Sequence, residues 1–195
     1  MLVGDRGLLP GWKPRPRREE GRAAGFTLVE LVTTLAIAAV LFGLGAPAWQ
    51  SWIASQQLSN HAHLVIDALN LARSEAVKRG FRVNVCKSVD RLHCADQGGW
   101  EQGWILFVDD NQNGEVDHDE AVLHVEGPAE NRITVSGNAP VEDYVSYTSL
   151  GHARMLNGAL QMGTFVVCKP GQNALKVVLA NSGRARMESS PARCP

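Results

Sequence analysis

The stretch Arg22-Ala23-Ala24-Gly25-Phe26-Thr27-Leu28-Val29-Glu30-Leu31 decides how the rest of the chain is read. Before it lie Arg6, Lys13, Arg15, Arg17, Arg18 and Arg22, against Asp5, Glu19 and Glu20. After it runs an uncharged, largely apolar segment from Leu31 to Trp49, long enough to cross a bilayer as a helix of about 20 residues. A basic flank ahead of such a segment predicts a cytoplasmic N-terminus and an exported remainder. A secretory signal would end in a small-x-small cleavage site, which Ala46-Pro47-Ala48 imitates poorly because of its proline. Glu30 is the odd residue, since a lone carboxylate among apolar neighbours is costly in lipid unless a cation reaches it.

Beyond the apolar run the helical pattern continues but becomes one-sided. Trp52, Ile53, Leu58, Ala62, Val65, Ile66, Leu69, Ala72, Ala76 and Val77 recur at three and four residues, the mark of an amphipathic helix. Gly80 supplies its stop, and Lys78 and Arg79 suit the negative end of the helix dipole. Gly43, Gly45 and Pro47 are expected to loosen or kink it. A helix from Phe26 to Arg79 would be about 80 Å long.

The remainder reads as short strands rich in Val, Ile, Phe and Tyr and separated by Gly, Asn, Asp and Pro. The candidates are Phe81–Lys87, Trp104–Val108, Ala121–Val125, Arg132–Val135, Tyr144–Tyr147, Gly163–Cys168, Leu175–Ala180 and Arg184–Met187. One long helix followed by many short strands implies an α+β fold, with antiparallel sheets laid on the amphipathic half of the helix.

Composition narrows the function. With 195 residues, 45% hydrophobic and 20% charged, the chain is neither a disordered tail nor a polytopic membrane protein. The net charge of −1 conceals an uneven distribution. Between Asp96 and Asp143 twelve acids face the single base Arg132, whereas from Tyr144 onward six bases face the single acid Glu188. No GxSxG, Walker A, HExxH or dinucleotide fingerprint occurs, so no residue is nominated for catalysis and an enzyme is not expected. The six histidines are scattered; His61 and His63 stand two apart on a helix, a poor chelate, and all six read as solvated or interfacial.

At Gly25-Phe26-Thr27-Leu28-Val29-Glu30 the chain resembles the class III signal of type IV pilins and type II secretion pseudopilins. The stretch from Trp104 to Gly114 and the ending Asn181-Ser182-Gly183-Arg184-Ala185-Arg186 resemble the GspH/FimT family of minor pilins and pseudopilins within that class. The resemblance implies cleavage by prepilin peptidase after Gly25 and methylation of the new N-terminal Phe26. Glu30 would then pair with the terminal amine of a neighbouring subunit in a filament. It further implies a type IV pilin-like fold in three parts: a leader over 1–25, a transmembrane and filament-core helix over 26–48, and a periplasmic head over 49–195. The head would comprise the amphipathic helix 49–79 and a β-rich domain 80–195, on a protein anchored once in the bacterial inner membrane. Its partners would be other pilins or pseudopilins.

Three further features carry chemistry. In the FimT-like branch a Gly-Arg-x-Arg element near the C-terminus is associated with DNA binding in natural transformation, which nominates Arg184 and Arg186, helped by Lys169, Lys176 and Arg193, for the backbone of double-stranded DNA. Two arginines two apart on an extended strand share a face about 7 Å apart, and the guanidinium fork suits phosphate. The competing reading is a solvated hairpin on a GspH-like structural subunit of a type II secretion pseudopilus. Second, Asp109, Asn111, Asn113, Gly114 and Glu120 follow the calcium-loop spacing D-x-N-x-N-G-x5-E. The strand-like flanks exclude an EF-hand, and the loop reads first as an acidic strand connection with Gly114 at positive φ. Its second reading is a structural calcium site on Asp109, Asn111, Asn113 and Glu120, with no other cofactor expected. Third, four cysteines allow three connectivities. The pairing expected in an oxidising compartment is Cys86 with Cys94 and Cys168 with Cys194, the latter pinning the C-terminal tail to a core strand.

Overall fold

The computed structural model describes residues 25–130 and 132–195, so the expected leader, apart from Gly25, lies outside the described residues. The chain divides into a first unit ending at Leu44 and a second over Gly45–Pro195. A single helix, α1 (Leu28–Arg79), runs through both, including the positions at which loosening is expected.

Within the second unit α1 buries Leu58, Ala62, Val65, Leu69, Ala72 and Ala76, a stripe that advances by four and three residues in turn. Four of these and neighbouring Ala68 are small or branched residues, which brings the helix close to the strands beneath it. Trp52, Ile53 and Val77, counted from spacing as part of this face, are exposed instead, so docking begins only at Leu58.

The strands are β1 (Arg82–Lys87), β2 (Trp104–Asp109), β3 (Val122–Glu126), β4 (Thr134–Gly137), β5 (Tyr144–Tyr147), β6 (Gly163–Cys168), β7 (Asn173–Leu179) and β8 (Ala185–Arg193). They form two four-stranded sheets, ordered β3-β2-β1-β5 and β4-β6-β7-β8, with every pairing antiparallel. Val83, Val85 and Leu106 from the first sheet and Val135, Phe165, Val177 and Leu179 from the second meet the helix stripe in one hydrophobic core.

The central strands of the first sheet, β1 and β2, are buried on both faces, whereas the edge strand β3 is largely exposed. Their outer face carries Cys86, Ile105 and Phe107, a smaller cluster closed by Cys94 and Val116 from two overlying loops and by Tyr144 of β5. Cys86–Cys94 and Cys168–Cys194 are bonded, with Cα separations of 5.5 and 5.4 Å, in the pairing expected from the sequence. The first clamps an overlying loop to β1. The second holds the chain end to β6. Beside the first, the Lys87 ammonium is fully enclosed yet satisfied: it donates to the carbonyls of Asp96 and Gly98 and pairs with Asp143 at 2.7 Å.

All eight candidate strands exist, but β8 runs six residues beyond the expected Met187. The added stretch contains Pro191, which is tolerated because β8 lies at a sheet edge, where a proline without an N–H is accepted. The reading of all six histidines as solvated or interfacial also needs correction. His61 is buried on α1 with its ring edge-to-face on Trp104, and its Nε2 has no hydrogen-bond partner.

Burial of that imidazole holds its pKa below 6.5, partly opposed by the nearby carboxylates of Glu126 and Glu101. The folded protein therefore binds fewer protons here than the unfolded chain, and stability falls as pH drops through and below 6.5. Denaturant unfolding at about pH 7.5 and about pH 5.5 should show a loss in the wild type that is much reduced in His61→Leu. An equally steep loss in the variant would assign the effect to other groups.

Candidate functional site

Two surfaces hold the residues nominated from sequence. The first is the beginning of α1. Thr27 caps the helix, its Oγ1 accepting the Glu30 amide at 3.2 Å, and Thr27-x-x-Glu30 has capping-box spacing. The Glu30 carboxylate thus sits in the first turn, where the dipole favours negative charge. Phe26, Leu28, Val29, Leu31, Val32, Leu35, Ile37, Val40, Leu41 and Phe42 are all more than half exposed. A helix apolar on every side needs an apolar surrounding, of lipid or of other helices. Among the described residues, no helix is long and apolar enough to cross a membrane.

The second surface is the β7–β8 hairpin. Its turn is fixed at Gly183, which has φ of +78°; a Cβ there would stand 2.3 Å from the carbonyl oxygen of Gly151 and 3.0 Å from the Tyr147 ring. Gly183 is buried, so its smallness serves this docking. The Gly151 carbonyl also accepts the Arg73 Nε of α1 at 2.9 Å, which ties the hairpin tip through one turn to the helix.

Arg184 leaves this turn exposed, and no ion pair to it occurs among the described residues. Arg186 stands opposite Val178 in the ladder and Lys176 opposite Glu188, all four lining one shallow depression on the outer face. The structure therefore brings Lys176, Arg184 and Arg186 to one hairpin. Lys169 and Arg193 do not join them. The Lys169 Nζ donates to Gln57 of α1, and Arg193 lies near Gln56 and Ser59 of the helix. In the ladder Arg186 faces Val178 and Arg193 faces Asn173, five residues of β7 away, about 17 Å. The five-residue basic patch is thus reduced to three.

Charge on the patch is further reduced by Glu188, whose Oε1 lies 2.8 Å from both Nε and Nη2 of Arg186. Sequence reasoning noted Glu188 as the lone acid of the region but not this pairing, although residues two apart on a strand share a face.

Asp109, Asn111, Asn113 and Glu120 lie in the loop joining β2 to β3, whose Gly114 has φ of +81° as expected. The loop closes on itself. Asn111 and Asn113 accept the amides of Asn113 and Glu115, both their side-chain amides donate to Asp117 Oδ2, and Glu120 accepts the amides of Asp110 and Asp117. Among the described residues, no three side chains drawn from His, Cys, Asp and Glu form a group that could hold a metal.

A long N-terminal helix laid on antiparallel sheets, opening with a capped apolar segment, is the architecture of type IV pilin-like subunits. The family profile described as type II transport protein GspH matches residues 61–183, and that of the prokaryotic N-terminal methylation motif matches residues 21–46. The chain belongs to the GspH family of minor pilins and pseudopilins. It is similar in fold to the type IV minor pilin FimU of Pseudomonas aeruginosa, with a TM-score of 0.53 and 18% identity over 71% of this chain and 96% of that one. The minor pseudopilin EpsH of Vibrio cholerae aligns with a TM-score of 0.48 and 14% identity over 70% of this chain and 99% of that one. Among curated protein sequences none matches.

The docking at Gly183 predicts that Gly183→Ala is destabilising by about 2 kcal/mol or more, combining a strained φ with a backbone clash. Gly171→Ala is the control, because its φ is also positive at +81° but nothing lies within 4 Å of the added Cβ. Equal shifts in thermal midpoint for the two variants would refute the Gly151 contact as the cause.

Proposed function

We propose that the chain is a minor subunit of a type IV pilin-like filament, and that its β7–β8 hairpin contacts the backbone of double-stranded DNA. The observation that supports the filament role is the segment 26–43, whose large apolar side chains are exposed on every side. Prepilin peptidase would cut after Gly25, leaving the segment in the inner membrane until it is transferred into a filament core. Trp49 and Trp52, exposed and with ring centroids 5.5 Å apart, follow the apolar run where an aromatic belt would meet the membrane surface. Glu30 would accept the terminal ammonium of a neighbouring subunit. The head would stand in the periplasm, a compartment in which both disulfides persist.

Intact-mass analysis of membrane-extracted protein should give a chain beginning at Phe26, 170 residues long with 13 bases and 17 acids. Glu30→Val should be processed normally but enter filaments poorly. Assembly of that variant at the wild-type level would remove the inter-subunit role and leave Glu30 as a capping residue.

The DNA contact rests on Arg184, which is exposed and makes no ion pair among the described residues, with Lys176 and Arg186 beside it. Three cations predict a log–log salt slope of about −3 and affinity in the non-specific range of roughly 10⁻⁴ to 10⁻⁶ M, so a firm grip would need several subunits. Arg184→Gln with Arg186→Gln should flatten the slope by about two. Glu188→Gln should tighten binding, because it frees Arg186 and removes a repelling charge. Anisotropy titrations in which wild type, the double variant and Glu188→Gln coincide would favour a structural pseudopilin subunit without a nucleic-acid role.

A further inference from the structure

Beneath the β2–β3 loop lies a carboxylate whose chemistry is incomplete. Asp109 ends β2 on the outer face of the first sheet, the face that also carries Asn84, Ile105 and Phe107, and it is fully buried. Its Oδ2 accepts from the Asn84 side-chain amide at 2.6 Å and from the Gly114 N–H at 3.2 Å, which holds the carboxylate against the loop's turn. Its Oδ1 is enclosed and has no partner, and neither has the neighbouring Asn84 Oδ1. Two buried acceptor oxygens without a donor, one of them on a carboxylate, call for a cation.

We propose that the loop Asp109–Glu120 binds a calcium ion, with the unpartnered Oδ1 of Asp109 as its buried ligand. The remaining oxygens follow from the spacing: the side chains of Asn111 and Asn113, the main-chain carbonyl of Glu115, and the carboxylate of Glu120, with Asp117 reached through water. The amide oxygens of Asn111 and Asn113 each accept one N–H, which leaves a second lone pair for an ion. Half of this ligand set is amide and main-chain oxygen, which is why the loop holds no cluster of three His, Cys, Asp or Glu side chains. Asp109, Asp110, Glu115, Asp117, Asp119 and Glu120 place six acids in twelve residues without a lysine or arginine. A set of many neutral and anionic oxygens on a pliable loop suits calcium better than magnesium, which demands strict octahedral geometry and keeps its waters.

The site would brace the head. Both ends of the loop are held by the β2–β3 ladder, in which Val108 N–H donates to Ala121, so binding cannot open a helix pair as it does in calcium sensors. What the loop covers is the Ile105, Phe107 and Cys86 cluster, through Val116 and beside Cys94. Calcium would fix that cover, with an affinity in the range of extracellular modules, about 10⁻⁴ to 10⁻³ M.

The test uses the full chain in detergent, stripped with EGTA and returned to calcium or magnesium. Calcium at about 5 mM should raise the thermal midpoint by roughly 5 °C, magnesium by much less, and calorimetric titration should give one site. Glu120→Gln and Asn111→Ala with Asn113→Ala should abolish the calcium shift while melting cooperatively. Asp109→Asn should also abolish it, but the two exposed-loop variants decide the matter if burial makes this one fold poorly. A wild type that melts identically in EGTA and in calcium, or loop variants that keep the full shift, would overturn the proposal.

Discussion

One stripe of α1, Leu58 to Ala76, is the surface on which the head is built. Strands from both sheets contribute to the core around it. Alanines at 62, 68, 72 and 76 keep that stripe thin, and large side chains from the strands, Trp104, Tyr147 and Phe165 among them, fill the space against it. The polar contacts around the stripe follow from the same arrangement. Arg73 binds Gly151 and Lys169 binds Gln57, so the second sheet and the post-β5 turn are referred back to the helix at two separate points.

The second constraint is the burial of β1 and β2 on both faces. A sheet with only a helix behind it would show alternating exposure, but every residue of β2 is buried. Two loops supply the missing layer. The disulfide to Cys94 holds one of them, and Lys87 gathers the carbonyls of Asp96 and Gly98 beside it. The candidate residues of the second unit therefore lie outside this layer, on the acidic loop and on the hairpin of β7 and β8.

Periodicity made the helix and all eight strands legible, because the helical spacing after Trp49 and the β-branched runs after Gly80 each point one way. It could not show where docking begins. Trp52 and Ile53 continue the pattern of Leu58 and Ala62, and only the position of the sheets decides that they stay exposed. The last strand was drawn six residues short, and its continuation through Pro191 depends on β8 lying at an edge, a property of topology. The basic cluster was overdrawn for a related reason. Counting charges along the chain joins Lys169 and Arg193 to Arg186, but the strand carries Arg193 about 17 Å away, and Glu188 meets Arg186 across one pleat. The disulfide pairing agrees with the expectation, although four cysteines by themselves allow three connectivities.

The edge position of β8 has a consequence for crowding. An edge strand nine residues long offers a row of unpaired amides and carbonyls, which is the template on which sheets of different molecules fuse. Here the strand bears Arg186 and Glu188 on its outer face, has an imino acid at Pro191, and is stapled at its end by Cys194. Heads held side by side at high local concentration would thus be kept from zipping into one continuous sheet, and could touch through side chains while remaining separate molecules.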